Sequence, residues 1–176
     1  MMIEERDRTL QALRTAVQME IDGKAFYLKA SRESGNELGK KLLQNLSDEE
    51  DLHRQRFEAI YHRLHDEKAW PEIEPSPEQG NKLKTLFATE SEKAGTDTIT
   101  LDTELDTVQE AMDMEIRSYD FYREHVSTAR YETERRFYEK IAEEEKVHHI
   151  LLLDYYEYLK DPAQWFVSKE HPSLDG

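Results

Sequence analysis

Four stretches of the chain repeat apolar residues at intervals of three and four, the spacing that lines one face of an α-helix. Leu10, Leu13, Val17 and Tyr27 mark the first, and Leu43, Leu46, Phe57, Ile60 and Leu64 the second. Leu105, Val108, Met112, Tyr119 and Tyr122 mark the third, and Tyr138, Ile141, Leu152, Tyr155 and Leu159 the fourth. The pattern predicts helices over about residues 4–31, 37–65, 101–127 and 131–159. Two Gly, two Ser and an Asn between Ser31 and Gly39 predict a short turn. Residues 66–100 break the pattern. Pro71, Pro75 and Pro77 stop the second helix, a short helix is expected over Lys82–Glu90, and Gly95–Thr100 reads as a loop. Asp161-Pro162 ends the fourth helix, leaving a short tail over 161–176 in which Trp165 and Phe166 are expected to dock on the bundle or on a second subunit. Neither helical hairpin could cover its apolar stripe alone. The expectation is therefore a single all-α domain over 1–176, a four-helix bundle whose long crossover joins helices two and three.

Polar residues interrupt each stripe where an apolar one is due. They are Glu20 in the first helix, Glu50 and His53 in the second, Glu115 in the third, and Glu145 and His148 in the fourth. One offset, 95 residues, carries Glu20 to Glu115, Glu50 to Glu145 and His53 to His148. It also aligns A-V-Q-M-E-I-D-G-K-A-F-Y (16–27) with A-M-D-M-E-I-R-S-Y-D-F-Y (111–122), six identities in twelve, and Tyr27 with Tyr122. The chain is an internal duplication of a helical hairpin.

Each Glu-x-x-His pair projects a carboxylate and an imidazole side by side from one helix face. Two such helices, with one Glu from each of two others, make the ligand set of a four-helix di-metal site. Four buried carboxylates without partners would be very costly. Two divalent cations match their charge of −4. Carboxylate with imidazole suits iron, with manganese or zinc as possible substitutes. In this geometry Glu50 and Glu145 bridge, Glu20 and His53 complete one ion's shell, and Glu115 and His148 complete the other's. Tyr27 and Tyr122, two turns beyond Glu20 and Glu115, are expected to hydrogen-bond the carboxylates and are the candidate catalytic residues. Glu49 and Glu144 are the alternative register, set aside because Glu50 and Glu145 fit the stripe. His149 maps onto Arg54 and is excluded as a ligand. His62, His65, His125 and His171 belong to no motif and read as surface.

Composition narrows the classes. A net charge of −15 argues against a nucleic-acid partner. The absence of cysteine excludes disulfides, zinc–thiolate sites, iron–sulfur clusters and thiol catalysis within these residues. No apolar run suits a signal peptide or a membrane span, so a cytoplasmic protein with no membrane partner is expected.

The paired E-x-x-H helices, the M-E-I-x-x-x-x-F-Y stretches before them and the ending Y-Y-E-Y-L-K-D-P-A-Q-W-F resemble the rubrerythrin-like branch of the ferritin-like superfamily over nearly the whole chain. The resemblance implies a non-haem di-iron site and an oxidoreductase activity such as peroxide reduction, or ferroxidase and iron-handling chemistry. A non-catalytic metal-binding bundle is the third possibility. Two departures stand out. No rubredoxin-like Cys₄ domain is present, so electrons would come from an external donor such as a rubredoxin-like protein. The family's extra Glu one turn after the third-helix ligand is Ser118 here, as its first-helix equivalent is Gly23. A homodimer or small homo-oligomer is expected from the aromatic end of helix four, Tyr155, Tyr156 and Tyr158, together with Trp165 and Phe166.

Overall fold

A computed structural model of the chain describes residues 3–67, 70–71, 79–98, 100 and 102–170. Six helices follow one another: α1 (Ile3–Glu33), α2 (Glu37–Glu67), α3 (Gln79–Ala94), α4 (Asp102–Thr128), α5 (Glu132–Lys160) and α6 (Pro162–Glu170). The four long helices lie within about two residues of their expected bounds, as the fraying of helix ends allows. Pro75, Pro77, Ile99, Leu101 and His171 fall outside the described residues.

Two elements differ from expectation. α3 is longer than Lys82–Glu90 and ends where Gly95 takes a left-handed φ of 60°, with its N–H bonded to Ser91 O at 3.0 Å. The tail forms α6. Pro162, which cannot continue α5, occupies the first turn of the next helix, where no backbone donor is needed. Asp161 Oδ1 caps that helix by accepting from Gln164 N at 3.0 Å. Trp165 then packs edge-on to Phe87 (5.7 Å) and Tyr158 (5.5 Å), and Phe166 to Tyr158 (6.2 Å). The tail docks on its own bundle. Tyr155 and Tyr158 are buried within the chain, so the aromatic surface that suggested a second subunit is largely covered. The large apolar side chains that do stand in solvent include Ile21, Ile116, Ile150, Leu153 and Val167.

Contacts at the two ends fix the topology. The α1–α2 turn meets the start of α4 and the end of α5: Ser34 and Asn36 donate to Glu104, and Asn36 also donates to Tyr155 Oη at 3.1 Å. At the opposite end Arg130 pairs with Glu5, and Arg6 donates to the His65 carbonyl. α1 thus runs antiparallel to both α2 and α4, while α2 and α4 are parallel. A parallel pair requires the chain to return along the bundle, and α3 lies on that return, held by Lys41–Glu90 at 2.8 Å and by Phe87 against Tyr155.

The apolar core is in two parts. One gathers Tyr27, Leu42, Leu46, Phe87, Val108, Leu152 and Tyr155; the other gathers Leu13, Phe57, Ile60, Tyr122, Tyr138 and Ile141. The polar residues that interrupt the stripes lie between them.

Candidate metal centre

Glu20 reaches the bundle interior from α1, Glu50 and His53 from α2, Glu115 from α4, and Glu145 and His148 from α5. None of the six is more than 4% exposed. They form two groups, Glu20–Glu50–His53–Glu145 and Glu50–Glu115–Glu145–His148, and in each group one potential ligand atom per residue lies within 4.8 Å of the others. Glu50 and Glu145 belong to both, as expected of bridging positions. His53 Nδ1 stands 3.4 Å from Glu20 Oε2 and 3.1 Å from Glu145 Oε1. His148 Nδ1 stands 3.3 Å from Glu50 Oε1, 3.6 Å from Glu115 Oε1 and 3.5 Å from Glu145 Oε2. The imidazoles face each other with centroids 5.6 Å apart and planes 15° from parallel, so the 95-residue repeat is a spatial pseudo-twofold.

The donor set tests what could fill this layer. Glu20 Oε2, Glu50 Oε1, both oxygens of Glu145, and Nδ1 of His53 and His148 are buried without a hydrogen-bond partner. Buried polar atoms seldom lack one. Six such atoms converging in one layer fit hard or borderline divalent cations, with oxygen and imidazole donors and no thiolate.

The tyrosines cross between hairpins. Tyr27, on α1, donates to Glu115 Oε1 on α4, and Tyr122, on α4, donates to Glu20 Oε1 on α1. Both are fully buried, and burial, followed by the nearby carboxylate charges, pushes both phenols well above their ordinary range. Their hydroxyls are therefore donors at neutral pH.

Glu144, set aside as a ligand, lies outside both groups but acts across the bundle. His53 Nε2 donates to Glu144 Oε2 at 2.8 Å, which fixes Nδ1 as the free nitrogen facing Glu20 and Glu145. Arg56 (2.9 Å) and Lys140 (3.7 Å) hold the Glu144 carboxylate in turn. Burial acts to raise its pKa, but the bond from His53 and the neighbouring cations outweigh it and keep it below the ordinary value. The repeat does not reproduce this support. Glu49 occupies the matching position near His148, but Arg56 maps onto Leu151 and Lys140 onto Asn45. Burial raises the Glu49 pKa. The signal for Glu144 was in the sequence, as cationic partners present in one half and missing in the other.

Without a metal the carboxylates must share protons. Burial and then the Glu145 charge raise Glu115 to about 8. Burial and the other three carboxylates raise Glu50 well above the usual range. For Glu145, burial is outweighed by the neighbouring Glu115, His148 and His53 side chains, which hold it well below the usual carboxylate range. Both imidazoles are raised: burial opposes their charge, and the carboxylates around them overcome it.

A Cβ built at position 23 would meet Glu50 Oε2 at 2.7 Å, so the Glu50 carboxylate would have to shift to admit a side chain there. Neither Gly23 nor the matching Ser118 on α4 offers a seventh carboxylate. Of the other histidines, His125 is partly buried rather than exposed. Its ring packs 5.1 Å from Tyr138, and its Nδ1 lies 2.8 Å from Phe121 O.

The rubrerythrin family model matches residues 11–156. The chain belongs to the rubrerythrin family. The match takes in both hairpins, all six interior Glu and His residues, Tyr27 and Tyr122, and it stops short of α6. The bundle is thus of the ferritin-like kind, and its buried Glu and His groups are able to bind metal. No curated protein and no solved structure matches the chain. Among the described residues of this rubrerythrin-family bundle, no helix is long and apolar enough to cross a membrane.

Proposed function

We propose that this rubrerythrin-family chain holds two iron ions between its hairpins and reduces hydrogen peroxide or dioxygen with electrons from an external donor. What carries this reading is the convergence of four carboxylates and two imidazole Nδ1 atoms, many without another partner, in a layer closed off by apolar residues on both sides. Glu20 with His53 would hold one ion and Glu115 with His148 the other, and Glu50 and Glu145 would serve both. When bound, two ferrous ions would supply the two electrons with which one peroxide and two protons become two waters. The chain's own part is to offset the cationic charge with four carboxylates, to orient His53 through Glu144, and to fix Glu20 and Glu115 through the crossed tyrosines. With no cysteine among its residues, re-reduction falls to a separate protein, such as a rubredoxin-like donor.

Protein grown with iron should contain about two ions per chain, as such ligand sets do, and Glu50→Ala and Glu145→Ala should each lower that content. Mixing the ferrous protein with peroxide in a stopped-flow instrument should produce a ferric chromophore with one peroxide consumed per site. Iron that stays ferrous for minutes under both peroxide and dioxygen would end the oxidoreductase reading.

The lack of a seventh carboxylate at Gly23 and at the matching Ser118 supports a second reading, a ferroxidase with a symmetric ligand set that oxidises Fe²⁺ and passes it on. Iron retained well beyond two ions per chain during aerobic oxidation would favour it.

A further inference from the structure

The repeat is broken on the outer faces of the site as well as inside it. Between α4 and α5 a recess of about 190 Å³ is lined by Glu115, Ile116, Tyr119, Lys146 and His149. One of its lining residues, Glu115, thus belongs to the candidate metal centre. Subtracting 95 places Glu20, Ile21, Lys24, Asp51 and Arg54 on the corresponding face between α1 and α2. The ligand and the isoleucine recur, and the other three do not. On the α1–α2 face Asp51 Oδ1 is bonded to Lys24 Nζ at 3.0 Å and to Arg54 Nε at 2.8 Å, and Asp51 Oδ2 accepts from Gln55 at 3.0 Å. Lys24–Asp51 is thus a latch joining the two helices, and Arg54 and Gln55 hold Asp51 in place from its own helix. On the α4–α5 face no acid stands at the middle position. Neither Lys146 nor His149 makes an ion pair among the described residues, and His149 Nδ1 is buried without a partner.

We propose that small uncharged oxidants, dioxygen or hydrogen peroxide, reach the metal pair from one face only, through the α4–α5 recess over Glu115, while the Lys24–Asp51 latch closes the pseudo-equivalent face. This rests on the metal reading above and adds to it the direction from which the oxidant enters. Ile116 and Tyr119 give the recess apolar walls that admit neutral molecules. Lys146 at its rim repels Fe²⁺, so this is a path for oxidant rather than for iron.

Nitric oxide, a neutral diatomic that binds ferrous iron, is the probe. Ile116 and Ile21 are 44% and 40% exposed, so a larger side chain at either has open space beside it. Ile116→Trp should fill the recess and slow nitric oxide binding to the anaerobic di-ferrous protein, followed by stopped-flow absorbance, by about tenfold, since entry must then wait for local opening. Ile21→Trp, the same change on the latched face, should leave the rate as in the parent. Asp51→Ala in the Ile116→Trp background should restore fast binding by opening the second face. Iron content is measured in every variant. Equal rates in Ile116→Trp and the parent, or equal slowing by the two tryptophans, with iron retained, overturns one-sided entry and leaves the metal reading standing. A parent protein that holds no iron overturns both.

Discussion

Glu144 shows how much a single residue one step from a ligand position can decide. It takes the Nε2 proton of His53 from across the bundle, and two cations keep it anionic. Removing such a partner typically weakens metal binding about 10–100-fold. Glu144→Gln should do so in a calorimetric zinc or cobalt titration, and the loss should fall on one of the two ions. Glu49→Gln, at the matching position where Arg56 and Lys140 have no counterparts, should cost much less. Equal losses would contradict the asymmetry. The tyrosines predict a different signature. Tyr27→Phe leaves a buried carboxylate oxygen of Glu115 without its donor, which costs about 1–3 kcal/mol. Urea unfolding of the metal-free variant should show that loss, and an unchanged midpoint would mean that the hydroxyl contributes nothing to the fold.

At the scale of elements, the four long helices and their polar interruptions were legible because one number, the offset of 95, tied every position to a partner. Periodicity places Glu50, and not Glu49, on the inner face, and Glu50 is the one that stands in both Glu/His groups. Glu144 was harder to read, since its partner lies 91 residues away on another helix and no local spacing encodes that contact. α6 was missed because Pro162 was taken only as a terminator, although a residue that ends one helix can start the next. The recess over Glu115 is not legible in the sequence either. Leu46, Phe57, Ile141 and Leu152 are buried on the inner seam and leave little space there. The opening lies outside that seam, where sequence periodicity carries no information. α6 now carries its own prediction. Trp165→Ala removes a half-buried ring from Phe87 and Tyr158 and should lower stability by about 1–3 kcal/mol while metal content stays the same. Loss of metal in that variant would show that the tail reaches the site.

For the whole molecule, protons and metal ions compete for one layer. Glu115 titrates near 8 in the folded chain, and an unfolded Glu near 4.3. A group raised on folding contributes stability below its unfolded value and loses that contribution as pH rises through its folded value. Glu50 and both imidazoles shift in the same direction. The metal-free protein should therefore melt at progressively lower temperature between about pH 4.5 and 8, and bound metal, taking the place of the protons, should flatten that fall. A flat profile for the metal-free protein would contradict the shared-proton picture. The crossed tyrosines reach further. Tyr27 closes on Glu115, Tyr122 closes on Glu20, and Glu50 and Glu145 serve both groups, so neither half of the chain owns a finished site. In effect the polypeptide is a two-fold dimer fused end to end, and its crossover is a tether that supplies effective concentration. Peptides spanning 1–67 and 79–176, mixed as separate chains, should reassemble in a metal-dependent way with a midpoint that moves with concentration. Halves that fold and load metal independently would show that the fusion is only a covalent convenience.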